Sequence, residues 1–136
     1  MKKIILFIMA LLMLVACSGA NTANITGGWK LVSYGSVDNP TPAIPDVDTS
    51  ITFDSEGQMN GNVGCNGFGG NYKISSDDIT FDSIMSTLMF CEGTSDQEQA
   101  VLGVFSDKVD LQFQLNDNTL TITSVDGLSV VNLERK

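Results

Sequence analysis

The chain has 136 residues, with 16 acidic against 7 basic side chains, a net charge of -9 and no histidine. The missing imidazole excludes Ser-His and Cys-His nucleophile pairs, His-ligated zinc and imidazole acid/base catalysis. Lys30, Lys73, Lys108, Arg135 and Lys136 are scattered singly, so the chain lacks the basic patch that nucleic-acid binding usually shows, and no nucleic acid is expected as a partner.

The first element, residues 1–17, is two lysines followed by an unbroken apolar run from Ile4 to Ala16, the pattern of an export signal. Thirteen apolar residues are too few to span a bilayer, which needs about 20. The run ends Leu14-Val15-Ala16-Cys17 and resembles a bacterial lipobox, so Cys17 is the expected lipidation site; a plain secretory signal with a cysteine near its cut site is the alternative. Cleavage before Cys17 removes Lys2 and Lys3, leaving 5 basic residues against 16 acids, a charge of -11. Such a surface does not draw the protein to anionic lipid, so attachment to the membrane is expected to rest on the acyl chains of Cys17. The expected location is a bacterial membrane, the outer one facing the periplasm in a Gram-negative host.

Residues 18–27, small and polar, read as a flexible tether, and 28–135 as one domain with a modest core. With Cys17 assigned to lipid, Cys65 and Cys91 remain. Export places them where a disulfide persists, and closing that loop contributes on the order of 3 to 4 kcal/mol. Two buried reduced thiols are the alternative.

From Trp29 onward, short alternating or apolar runs are separated by turn residues: "WKLVSYG", "SITFD", "QMNGNVG", "GNYKIS", "DITFDSI", "DLQFQL", "TLTITS" and "LSVVNLER". This is the texture of an antiparallel sheet folded on itself, the last three strands forming a meander. Turn compositions at Ser55-Glu56-Gly57, Ser76-Asp77, Asn116-Asp117-Asn118 and Asp126-Gly127 separate them. Leu111, Phe113 and Leu115 alternate with Gln112 and Gln114, as do Leu120 with Ile122 and Val131 with Leu133, on a half-buried sheet. One loop, "SVDNPTPAIPDVDT", holds all three prolines and is no central strand.

A single segment reads as helix. "TSDQEQAVLGVFSDKV" places Ser95 three residues before Glu98, as in a capping box, and Val101, Val104, Phe105 and Lys108 at helical spacing. The expectation is an amphipathic helix of three to four turns, with Gly103 marking a close approach to a strand.

The run "GNVGCNGFGGNY", Gly61 to Tyr72, carries five glycines in twelve residues. It lacks the Gly-Lys-Ser/Thr of a P-loop and the Gly-x-Gly-x-x-Gly of a dinucleotide turn, and a strand pattern follows it. It therefore reads as strand, bend and strand, the glycines supplying positive φ and a bulge. Asp46-Val47-Asp48 and Asp77-Asp78 do not continue into a calcium loop, and Glu92 beside Cys91 disfavours a thiolate there. No cofactor, metal or catalytic residue is expected.

Taken together, "GGWKLVSYG", "ITFDSEGQMNGNVGCNGFGGNYKI", "STLMFCEGTSDQEQAVL" and "LTITSVDGLSVVNLER" resemble the META domain family, the HslJ-like or DUF306-type proteins. The motif residues here are Trp29, Gly64, Cys65, Asn66, Phe68, Gly70, Tyr72, Cys91 and Glu98. The resemblance implies an α+β, mostly β fold: a curved antiparallel sheet or partly open barrel of about eight strands with one amphipathic helix. It further implies a stress-related envelope protein with no catalytic activity to carry over. The expected function is that of a non-enzymatic cell-envelope lipoprotein, a monomer, that binds or supports an unknown envelope protein. A small-ligand carrier with a cavity in the curved sheet is the alternative, and an enzyme using carboxylates with Cys65 and Cys91 as a redox pair is a third reading. Asn66 is expected to bond turn backbone, and Phe68 and Tyr72 to pack in the core.

Overall fold

The computed structural model describes residues 23–105 and 107–136. The leader at 1–17, the lipidation site Cys17 and the tether as far as residue 22 lie outside the described residues. Alternating side chains produce strands β1 (Gly27–Ser36), β2 (Thr41–Pro42), β3 (Ser50–Phe53), β4 (Gln58–Asn62), β5 (Gly67–Ser75) and β6 (Asp78–Ser86). The helix α1 (Ser95–Val104) follows, then β7 (Asp110–Asn116), β8 (Thr119–Thr123) and β9 (Ser129–Arg135).

All pairings between these strands are antiparallel, in the order β2-β1-β3-β4-β5-β6-β7-β8-β9. The sheet closes because β1 also pairs with β9 from Trp29↔Arg135 to Ser36↔Ser129. The eight runs legible in the sequence thus form a closed barrel, and the two-residue β2 is an addition on the outer half of β1. Closure removes the free edges that an open sheet would expose along most of its length.

The inward residues of each strand meet inside. Trp29, Ile51, Phe53, Ile79, Phe81, Leu120, Ile122, Val131 and Leu133 have no measurable exposure. Phe53 stacks on Phe81 at 6.5 Å between centroids and meets Tyr72 edge-on at 5.0 Å, while Phe81 contacts Phe105 at 4.7 Å. Each such side chain contributes about 1.5–3 kcal/mol on leaving water.

Residues read as tether from Ala23 on are packed against the barrel. Ile25 is buried, and the Trp29 indole N–H donates to its carbonyl at 2.8 Å. Arg135 covers the Trp29 ring at 4.3 Å. An isoleucine beside a buried indole gains more from contact than from water, which moves the start of the ordered fold ahead of Gly28.

The helix departs from expectation in three respects. It ends at Val104, so Lys108 falls outside it, and its N-cap is Thr94 without a side-chain cap hydrogen bond. Ser95 is the first helical residue and donates instead to the Cys91 carbonyl at 3.1 Å. The capping box does not form because the Glu98 carboxylate is drawn away to backbone amides across the fold. A Cβ on Gly103 would meet nothing within 4 Å, so no close neighbour on that side requires a glycine. The apolar stripe is as expected: Val101, Val104 and Phe105 are buried.

The barrel has two distinct ends. The turns β3–β4, β5–β6 and β7–β8 lie at one, together with residues 23–26, as the Arg135 amide bond to Asn118 and its guanidinium bond to Thr26 show. The β4–β5 turn, the β6–α1 connection and α1 lie at the other.

Candidate functional site

The glycine-rich run is strand, bend and strand, with the bend at residues 63–66, but none of its five glycines has the expected positive φ; at Gly61, Gly64 and Gly70 the missing Cβ instead leaves room for close neighbours. Asn62 closes it locally: its Oδ1 accepts the Gly64 N–H at 2.9 Å and its Nδ2 donates to the Cys65 carbonyl at 3.2 Å. That arrangement is an Asx turn. It turns the next two amides, those of Cys65 and Asn66, toward the Glu98 side chain of α1, and both donate to Glu98 Oε1, the latter at 2.8 Å. Gly64 makes the approach possible, since a Cβ there would stand 2.5 Å from Glu98 Oε1 and 2.8 Å from its Cγ.

Asn66 is the centre of the site. Its Nδ2 donates to Glu98 Oε2 at 2.8 Å and to the Met89 carbonyl at 3.0 Å. Its Oδ1 accepts the Thr87 hydroxyl and the Met89 N–H, both at 2.8 Å. A carboxamide has two donors and two acceptor positions, and all four are used. A disulfide between Cys65 and Cys91 closes the same unit. Five of the motif residues, Gly64, Cys65, Asn66, Cys91 and Glu98, therefore meet at one place.

Burial pushes the Glu98 carboxyl up, but the hydrogen bonds from the Asn66 side chain and from the Cys65 and Asn66 amides outweigh it and hold the pKa below 4.5. The Thr94 hydroxyl, buried and outside ordinary hydrogen-bond geometry, lies close enough to add to that lowering. A carboxylate kept ionised and occupied by three N–H donors is a poor proton acceptor. Its role is to hold structure.

The remaining motif residues lie elsewhere. Phe68 is buried and contacts Phe105 at 6.2 Å. Tyr72, half-buried, donates its hydroxyl to the Asp54 carbonyl. Gly70 sits where the β5–β6 register shifts, with Ile84 Cδ1 at 2.6 Å from the position of a Cβ. Trp29 is in the core at the far end.

Thr87 and Met89, which belong to the stretch that carries the family resemblance, supply the groups that Asn66 binds, whereas sequence reasoning did not single out Gln97. Gln97 is fully buried, donates to the Val63 carbonyl and accepts the Ile44 N–H at 2.8 Å. A glutamine in a polar helical segment carries no local mark of burial.

The consequence of this clamp lies on the surface. Between the disulfide and the Asn66 bonds, the β6–α1 connection is held in place, yet Leu88 is 96% exposed, Phe90 90%, Met85 73% and Met89 59%. Leu88, Met89 and Phe90 border a cleft of about 530 Å³ whose other walls include Asn66, Gln99 and Leu102. Exposed acids lie close by in the chain or by contact: Asp82 and Glu92 flank the segment in sequence, Asp107 accepts the Ile84 N–H, and Asp96 is in the first turn of α1. The one cation of residues 82–110, Lys108, is 3.7 Å from Asp82. Among the described residues no group of three or more Cys, Asp or Glu side chains is placed to hold a metal ion, and no helix is long and apolar enough to cross a membrane.

A closed eight-stranded antiparallel barrel, with one helix tied to a glycine-rich bend, defines the structural class. The META domain family model matches residues 23–136, the whole of the described fold, and the chain belongs to that family. No curated protein matches the sequence. Among solved structures, the chain is similar to a protein from Burkholderia xenovorans determined by NMR, at 20% identity and a TM-score of 0.65, over 81% of each chain. It is also similar to the crystal structure of a DUF4847 family protein from Bacteroides vulgatus, at 14% identity and a TM-score of 0.57, over 82% of this chain and 93% of that one. At these identities the likeness establishes the fold alone.

Proposed function

We propose that this META domain protein is a lipid-anchored component of the cell envelope that acts without catalysis, by binding another envelope protein at the β6–α1 connection during stress. The observation that carries the reading is the exposure of Leu88 and Phe90, 96% and 90%, on a backbone fixed by Asn66 and the disulfide. An exposed apolar patch on a small protein marks an interaction site. Here the surrounding structure orders it before any partner arrives, which lowers the entropy lost on binding. The Glu98 carboxylate and the Asn66 carboxamide beneath it are occupied by one another and by neighbouring backbone and hydroxyl groups, which leaves neither free to activate a substrate.

The ligand-carrier reading finds less support. Phe53, Phe81 and Phe105 are in ring contact in the barrel interior, in the space a ligand would need. The direct test replaces Phe90 with a photo-cross-linking phenylalanine analogue in intact cells, with Thr121 on the barrel wall as control. The expected result is one reproducible envelope adduct from position 90 and none from 121; no adduct from 90 contradicts the reading.

A further inference from the structure

The patch lies beside a stretch of the barrel wall that is incompletely paired. β7 covers β6 only from Asp78 to Thr80. Beyond that, Asp107 forms an isolated bridge to Phe81 and accepts the Ile84 N–H at 3.1 Å, and among the described residues no strand then lies against the outer side of β6. The Thr87 N–H donates inward to Gly67 at 3.0 Å. Antiparallel pairs alternate in direction, so the backbone N–H and C=O of Ser86, paired with Phe68, point to the open side.

Resting on the partner-binding reading above, we propose that the open edge made by the end of β6, Ile84 to Ser86, and the residues that follow it to Leu88 receives an extended segment of the partner as an added strand, with apolar residues alternating with Lys or Arg. Strand addition supplies main-chain hydrogen bonds for affinity and leaves alternate side chains to give specificity. Met85, Leu88, Met89 and Phe90 offer the apolar contacts. Residues 82–110 contain six acids, Asp82, Glu92, Asp96, Glu98, Asp107 and Asp110, against Lys108 alone, which selects a basic segment.

The same charge disfavours a second copy of this chain, which would bring Asp82, Glu92 and Asp107 against their own kind. Position disfavours the bilayer that holds the anchor. Residues 23–26 leave the barrel at the end opposite α1, and Ala23 borders Asp77 and Asn116 of the far turns. The nine residues of β6 separate those turns from the patch by about 27 Å along the strand. Six residues from Cys17 to Ala23 reach about 20 Å at full extension, so the patch faces away from the lipid.

The test uses the full chain in mild detergent as bait for a phage-displayed library of random dodecapeptides. The expected enrichment is peptides in which apolar residues alternate with Lys or Arg. A selected peptide should slow amide exchange at Ser86 and Leu88, weaken with added salt, and lose about tenfold or more in affinity to L88S/F90S, equivalent to about 1.4 kcal/mol. Both side chains are exposed, so the variant keeps its melting temperature and the comparison stays interpretable. Peptides with helical spacing that still need Leu88 and Phe90 overturn strand addition and leave partner binding standing. Enrichment indifferent to L88S/F90S, or none, overturns both. Dimerisation lost in L88S/F90S assigns the edge to a second copy, and phosphatidylcholine vesicle binding through the same residues assigns it to lipid; either result overturns the proposal.

Discussion

Glu98 in α1 and Asn66 in the glycine-rich bend hold one another through two hydrogen bonds, both 2.8 Å long, one from the Asn66 backbone and one from its side chain. The two residues are 32 positions apart, and the chain between them contains the whole apolar segment. Their contact ties the helix, the bend and the exposed patch into one unit.

Removing the charge from this contact destabilises the fold. Glu98→Gln retains the shape but replaces a doubly accepting anion by an amide that turns N–H toward N–H. Hydrogen bonds to charged groups contribute about 1.5–3 kcal/mol each, and an unmet buried donor costs about 1–3. The expected loss is about 2–3 kcal/mol in urea unfolding; a change within about 0.5 kcal/mol, the range of an ordinary surface substitution, contradicts this role.

The same carboxyl sets an acid limb of stability. Its folded pKa lies below 4.5, so the folded state binds the proton less readily than the unfolded chain. The stabilisation is fully present above the unfolded value and is lost as pH falls through the folded one. The urea midpoint of the wild type should therefore fall on acidification below 4.5 more steeply than that of Glu98→Gln; parallel curves sink the assignment.

Two glycines should answer alanine in opposite directions. Gly64→Ala places a Cβ 2.5 Å from the Glu98 carboxylate, and overpacking of this kind costs about 1–3 kcal/mol. Gly103, with nothing near its missing Cβ, lies inside a helix, where alanine is preferred by about 1 kcal/mol. Thermal melts should move down for the first and up for the second.

Reduction should loosen the patch before the barrel. The Cys65–Cys91 bond spans 26 residues, and opening such a loop costs about 3.5 kcal/mol in the chain-entropy model. The double variant C65S/C91S should melt lower by that order while retaining barrel circular dichroism. Equal melting points with and without reductant contradict it.

The Cys17 proposal has its own test. Cells fed a clickable palmitate analogue should label the wild type, and Cys17→Ser should abolish both labelling and retention in the membrane fraction. Labelling that survives in Cys17→Ser defeats the anchor.

The strands were legible because side chains alternate with a period of two, and "DLQFQL" or "TLTIT" states its buried face directly. The bend was legible too, since five glycines with no lysine and no following helix leave few other readings. What stayed hidden was long-range. Pairing of β1 with β9 joins residues about a chain length apart, and nothing local encodes it. Ser95 and Glu98 have the spacing of a capping box, but two backbone amides from the bend compete for the same carboxylate and win. Leu88 and Phe90 look in sequence like core residues; only the hydrogen bonds of Asn66 to the backbone between them explain why they face water.

The most direct test of this account is amide hydrogen exchange at Met89, whose N–H is held by Asn66. Its protection in the wild type should exceed that in Asn66→Ala by about tenfold or more, the equivalent of about 1.4 kcal/mol, while amides of β7, β8 and β9 stay unchanged. A Met89 amide that exchanges at the same unprotected rate in both proteins would contradict the claim that this apolar surface is held ready for a partner.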